Sequence, residues 1–205
     1  MFFYTKNSCF FYTKWRINPF SFLKREFETI LTLNKTMELI KLKKNRKKII
    51  NLSIAAIIAA LYVVLTYLAS AMGLASFAVQ VRFSESLTIL PIFTPAAIPG
   101  LFIGCILANV LTGCALWDVI FGSLATLLGA LGTYYLKRHQ IIATIPPIIA
   151  NTVIVPFVLL NVYNLEGTYW FFALTVCLGE IISCGILGTL LRKSLEKRNL
   201  FDRFK

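Results

Sequence analysis

Charge is scarce through the middle of this chain. Between Gly73 and Leu191 the only lysines or arginines are Arg82, Lys137 and Arg138, and the other eighteen of the twenty-one lie toward the two ends. The formal net charge of +12 is therefore not the spread basic surface of a soluble nucleic-acid-binding domain. Basic flanks lying against an anionic cytoplasmic leaflet account for it. Histidine is almost missing, with His139 alone beside Lys137 and Arg138 as one more polar loop residue. The five cysteines, Cys9, Cys105, Cys114, Cys177 and Cys184, form no CxxC pair and have no histidine cluster near them, which argues against a zinc site. Their odd number, with four inside apolar segments, fits small packing residues better than a disulfide framework. Phosphate-loop, H-E-x-x-H and G-x-S-x-G patterns are also missing, so neither nucleotide hydrolysis nor a familiar hydrolase is written in the chain. No metal or cofactor is expected.

What the chain has is long apolar runs. Hydrophobic residues make up 58% of its 205 positions and charged residues 15%, the balance of a multi-pass membrane protein. Residues 49–72 (IINLSIAAIIAALYVVLTYLASAM) carry no charge over a length sufficient to cross a hydrocarbon core. Immediately before them KLKKNRKK (41–48) supplies six basic residues and places this end in the cytoplasm. Residues 116–136, 141–163 and 168–191 read as three further spans. The KRH at 137–139 and the tail 192–205 are basic and belong inside, whereas NLEG at 164–167 carries only an acid and belongs outside.

Parity then constrains residues 74–115. One crossing there would put the KRH loop outside, against its charge, whereas two crossings return every basic loop to the cytoplasm. The expected fold is thus all-α, with six transmembrane helices and both termini cytoplasmic. Residues 84–112 are too short for two complete spans, which need about 40 residues. Pro91, Pro95 and Pro99 fall in the same stretch, and each removes an amide donor at membrane depth, where freed backbone is tolerated only against protein or a water-filled cavity. Residues 82–93 and 95–112 are accordingly expected to form a hairpin of short helices lining a cavity. The opening segment 1–36 has no sustained period and no signal-peptide order. It is expected to be either a non-native upstream extension, with translation starting at Met37, or a disordered or interfacial arm. Residues 37–48 form a basic lead, 49–191 the membrane domain and 192–205 a basic tail.

The run VRFSESLTILPIFTPAAIPGLFIGCILANVLTG, followed by LWDVIFGSLATLLGALGTYYL, resembles the QueT family of queuosine-precursor transporters over about residues 47–193. Such proteins are similar to the substrate-binding S components of energy-coupling factor (ECF) importers. The resemblance implies a six-helix protein in the cell membrane that captures a 7-deazaguanine precursor from outside. It implies as partners a transmembrane coupling subunit and two ATPase subunits, with no cofactor of its own and no nucleic-acid partner. Residues 1–36 lie outside the resemblance, which favours the Met37 start, because a regulatory RNA leader commonly precedes family members.

Several residues stand out against this background. Arg82 and Glu85 are three apart, so on a helix they share a face and form either an ion pair or part of a ligand site. Glu180 lies near the middle of the last span as a packing hydrogen bond or a ligand contact. Asn109 and Asn151 sit within spans and either bridge helices or read a polar ligand. Trp117 offers a flat heteroaromatic ligand a stacking surface. Asp118 beside it is an acid where a helix N-terminus favours one, and Tyr163, Tyr169 and Trp170 suit an aromatic belt. In the first span Ala55 and Ala59, and beside them Ala56 and Ala60, repeat at four residues; such small faces let another helix approach closely. Their spacing fits internal packing equally, but in S components a similar stripe docks the coupling subunit. A deazaguanine presents a ring N–H and an amine side by side, which a carboxylate can accept, and a carbonyl that needs a donor. Glu85, or Glu180, and Arg82 have those chemistries. The competing classes are an S component for another vitamin-like solute, a membrane enzyme, for which no catalytic spacing is present, and a structural subunit, which gives no reason for Arg82, Glu85 and Glu180 to lie in the membrane.

Overall fold

The computed structural model describes residues 19–73, 81–139, 141–163 and 167–198. Helix α1, Pro19–Ala71, is shared between two compact units, Met1–Ile49 and Ile50–Lys205. In the first unit every side chain from residue 31 to 49 is exposed, and the Thr32 and Thr36 hydroxyls donate to the Glu28 and Thr32 carbonyls, both at 2.7 Å. This part of α1 is held by backbone and local bonds, with no apolar face buried. Of the expected upstream segment, residues 1–18 lie outside the described residues and the remainder is in α1.

The second unit is all-helical among the described residues. After α1 come a 3₁₀ helix at Phe83–Ile92, α2 at Ala97–Leu111, α3 at Leu116–Tyr135, a 3₁₀ turn at Ile142–Thr144 leading into α4 at Ile145–Asn161, and α5 at Tyr169–Glu180. A π-helical segment, Ile181–Leu187, joins α5 to α6 at Gly188–Lys197. Four stretches, Leu31–Ala71, Leu116–Tyr135, Ile142–Asn161 and Tyr169–Lys197, are long and apolar enough to cross a membrane. The Phe83–Ile92 and Ala97–Leu111 helices are apolar but shorter. Large apolar side chains such as Leu52, Val64, Leu128, Val153 and Leu174 are exposed along these helices. In water such faces would aggregate; in lipid they are the natural boundary.

Prolines shape the short pair. The 3₁₀ helix rises about 2.0 Å per residue and α2 about 1.5 Å, so each is about 20 Å long, less than the roughly 30 Å of a hydrocarbon core. Pro91 lies inside the 3₁₀ helix. Pro99, in the first turn of α2, costs nothing there because the first amides of a helix have no internal partner. Between them the chain turns on Phe93 N to Leu90 O at 2.9 Å and Ala97 N to Thr94 O at 3.2 Å, with the Thr94 hydroxyl accepting from Ala96 N at 3.3 Å. The short, broken hairpin read from the prolines is present.

Packing in lipid depends on close approach, since lipid tails are as apolar as leucine. Helix α2 crosses α1 on glycine. A Cβ at Gly100 would lie 2.6 Å from the Ala55 carbonyl oxygen, and one at Gly104 would lie 2.8 Å from Tyr62 Cβ. This crossing seats one core of Ile58, Tyr62, Leu87, Leu90, Ala97, Leu101, Cys105, Ala108 and Ala130, while Val155, Leu159, Phe172 and Val176 form a second between α4 and α5.

Candidate functional site

Glu85 lies in the first turn of the 3₁₀ helix and is 1% exposed. Its Oε1 accepts from the Tyr62 hydroxyl of α1 and, at 3.4 Å, from Thr126 Oγ1 of α3. Its Oε2 is buried with no hydrogen-bond partner. A buried carboxylate oxygen without a donor is costly, on the order of 1–3 kcal/mol or more, so it needs an account.

Glu180 reaches the same place from the end of α5 and is also buried. The π segment follows it at once, and π turns inside α-helices concentrate at functional positions. Cys184, four residues on, lies with Sγ 3.1 Å from Glu180 Oε2 and 3.3 Å from the Glu85 carbonyl oxygen, and its thiol donates to these acceptors. One ligand atom each from Glu85, Glu180 and Cys184 fall within 4.8 Å of one another. A metal-binding thiol must be deprotonated, and here the Cys184 proton is engaged. From α4, Asn151 faces Glu180, and its Nδ2 is buried without a hydrogen bond of good geometry. The Ser84 and Ser183 hydroxyls, flanking this group in sequence, are likewise buried without partners.

Arg82 caps the 3₁₀ helix in extended conformation and so lies before its first turn. It makes no direct ion pair with Glu85, because the shared face of a helical i, i+3 pair requires both residues to be in the helix. Asp118, Tyr62, Cys105 and Glu85 are all within electrostatic reach of its guanidinium, which makes no ion pair with either acid. Asp118 is buried in the first turn of α3, where its Oδ2 accepts from the Tyr163 hydroxyl at 3.1 Å. That same hydroxyl accepts from Ala115 N at 3.1 Å and ties the start of α3 to the end of α4. Asn109 of α2 is buried, with Nδ2 3.6 Å from Cys105 Sγ, and the α3 face at Gly122 lies against both Asn109 and Asp118.

The expected residues therefore separate into groups. Glu85, Glu180 and Asn151 converge, while Arg82 and Asn109 gather near Asp118. Trp117 stands apart, its ring exposed and stacked on Phe121 at 5.9 Å, because successive helical residues point about 100° apart and Asp118 takes the inward direction. With Phe121, Phe157, Val158, Asn161 and Val162 it lines an open groove of about 540 Å³ between α3 and α4. The alanine stripe also divides. Ala55 and Ala59 are buried against Gly100 and Gly104, an internal contact, whereas Ala56 and Ala60 are exposed. Sequence reasoning set Asp118 aside as an ordinary helix-start acid and missed Tyr62 and Thr126, hydroxyls on apolar faces with no local signal. The position of Cys184 four residues after Glu180 was a usable signal.

Apolar helices surrounding a buried cluster of acids, amide and thiol form the architecture of a membrane transport protein. A family model described as QueT transporter matches residues 52–197, and the chain belongs to that family. No curated protein and no solved structure matches the chain.

Proposed function

We propose that this protein is the substrate-capturing S component of an ECF-type importer for a 7-deazaguanine queuosine precursor. A separate coupling subunit and two ATPase subunits supply the energy, and the chain crosses the cell membrane six times with both ends in the cytoplasm. The short helices Phe83–Ile92 and Ala97–Leu111 make the two incomplete crossings that parity demands. Family membership supports the transport reading. The observation carrying the ligand reading is the Glu85–Glu180 pair, two buried carboxylates from segments far apart in the chain, with Glu85 Oε2 left unpartnered. A structural polar contact would have closed that valence; a ligand N–H closes it on binding.

In this reading Glu85 and Glu180 accept from the ligand's N–H donors, Arg82 donates to its carbonyl, and Asn109 and Asn151 supply amides to the remaining ring atoms. Trp117 stacks on a ligand only along the outer groove. The exposed Ala56 and Ala60 are the part of the small-residue stripe open to the coupling subunit. The test is calorimetric titration of the purified protein in detergent with the nitrile and aminomethyl precursors, guanine and adenine. Saturable binding of at least one precursor, with none of adenine, is the expected outcome. Binding of no deazaguanine refutes the reading.

A further inference from the structure

Helices α3 and α4 are held together differently at their two ends. At the end nearer the turn at 137–139 the backbones touch. A Cβ at Gly129 would lie 2.7 Å from Pro147 Cα, and one at Gly132 would strike Pro146. The buried Thr133 hydroxyl adds a bond of 2.9 Å to the Ala143 carbonyl at the same end. Contacts this close cannot part without breaking a packed core.

The opposite end is open. Trp117 and Phe121 of α3 face Phe157, Asn161 and Val162 of α4 across the groove, and their side chains do not fill it. Among the described residues one hydrogen-bonded group joins the two helices there. The Tyr163 hydroxyl, just past the last residue of α4, donates to Asp118 Oδ2 and accepts from Ala115 N, both at 3.1 Å. Tyr163 is 40% exposed, whereas Asp118 behind it is 6% exposed. The Asp118 carboxylate lies at the boundary, with Oδ2 on the tyrosine and Oδ1, like the Asn109 amide, against the α3 face at Gly122.

These two ties differ in what their opening requires. Leu159 packs on Phe172 of α5, so α4 keeps its own support when the outer tie breaks. The group that moves is the tyrosine side chain, and the groove beside Val162 gives it room. Its two bonds are modest and reach solvent, so they belong to the low-energy local openings of the fold.

We infer that Tyr163 is a latch on the outer approach to the ligand site. Its bridge from Asp118 to Ala115 closes the way to Asp118 and Asn109, and its withdrawal admits or releases the ligand while the glycine–proline contact keeps the far end of the helix pair shut. The inference rests on the ligand and orientation proposed above, and adds to them the step that limits exchange of the ligand.

The experiment uses Tyr163→Phe, which keeps the ring and removes the hydroxyl. Thr133→Val is the matched control, removing the bonded tie at the far end. Association and dissociation of isotopically labelled nitrile and aminomethyl precursors are followed by rapid filtration on purified protein in detergent, with folding checked by thermal unfolding. In Tyr163→Phe both rates are expected to rise about tenfold while Kd stays within about threefold, because a latch closed in the free and bound states changes the barrier and not the difference between them. Thr133→Val leaves both rates unchanged. Parental rates in Tyr163→Phe overturn the latch and leave the ligand reading intact. Faster release alone, with affinity lost in proportion, makes Tyr163 a ligand contact and also overturns it. Equal acceleration by Thr133→Val assigns the effect to general loosening of the helix pair, which overturns it too. If neither precursor binds the unmodified protein, the ligand reading falls and the latch with it.

Discussion

Replacing Gly104 by alanine should separate α1 from α2 and weaken the ligand site through Tyr62. The new Cβ would lie 2.8 Å from Tyr62 Cβ and 3.0 Å from Ala59 Cα, whereas carbon atoms in contact sit about 3.5–4.0 Å apart. Helix α1 must therefore retreat by about 0.7 Å or more, and it cannot do so locally because Ala55 packs one turn away against Gly100. Overpacking of this kind costs about 1–3 kcal/mol. Alanine regains about 0.5–1 kcal/mol of the backbone entropy that glycine loses in a helix, so the net destabilisation is up to about 2.5 kcal/mol. Moving Tyr62 also weakens its bond to Glu85, leaving a buried carboxylate less well held. The matched control is Gly185→Ala, where the nearest atom, Ile181 Cγ2, is 3.8 Å away and the substitution is expected to be neutral or stabilising. Thermal unfolding in detergent gives the stability difference, and precursor titration gives the effect on the site. If Gly104→Ala proves as stable as Gly185→Ala and binds precursor like the parent, the close crossing and its link to Glu85 are wrong.

Five further variants bear on the site and its surroundings. Glu85→Gln and Glu180→Gln, each shown to be folded, should lose at least tenfold in precursor affinity, about 1.4 kcal/mol, at one or both positions; parental binding by both would make these acids structural. Ala56→Leu combined with Ala60→Leu should leave precursor binding by the isolated protein unchanged while reducing co-purification with the coupling subunit. By contrast Ala59→Leu, at the buried Gly104 contact, should lower the unfolding temperature of the isolated protein, and the opposite pattern would reverse the two faces. Asp118→Asn keeps the shape but removes a buried charge within electrostatic reach of Arg82, and is expected to weaken precursor binding about tenfold. Parental affinity in this titration would place Asp118 outside the ligand site.

Membrane character, the four long apolar stretches and the short proline-broken pair were determined by the sequence alone, because each rests on local quantities. Run length against bilayer thickness sets the spans, and the missing amides at Pro91, Pro95 and Pro99 set the break. The same holds for Glu85 and Glu180 as candidates, since an ionisable group inside an apolar run is conspicuous wherever it ends up. What the sequence left open was which residues meet. The Arg82–Glu85 spacing suggested a pair, but Arg82 caps the helix instead of joining it and makes no ion pair with Glu85, and Asp118, thirty-six positions away in sequence, comes within its electrostatic reach. Ala55 and Ala56 look alike in sequence, and only the crossing with α2 decides that one is buried and the other exposed. Glu85 and Glu180 are ninety-five residues apart, and no period or spacing links them. Their meeting depends on the packing of the 3₁₀ helix against the π segment, a long-range arrangement of backbones that local pattern does not encode.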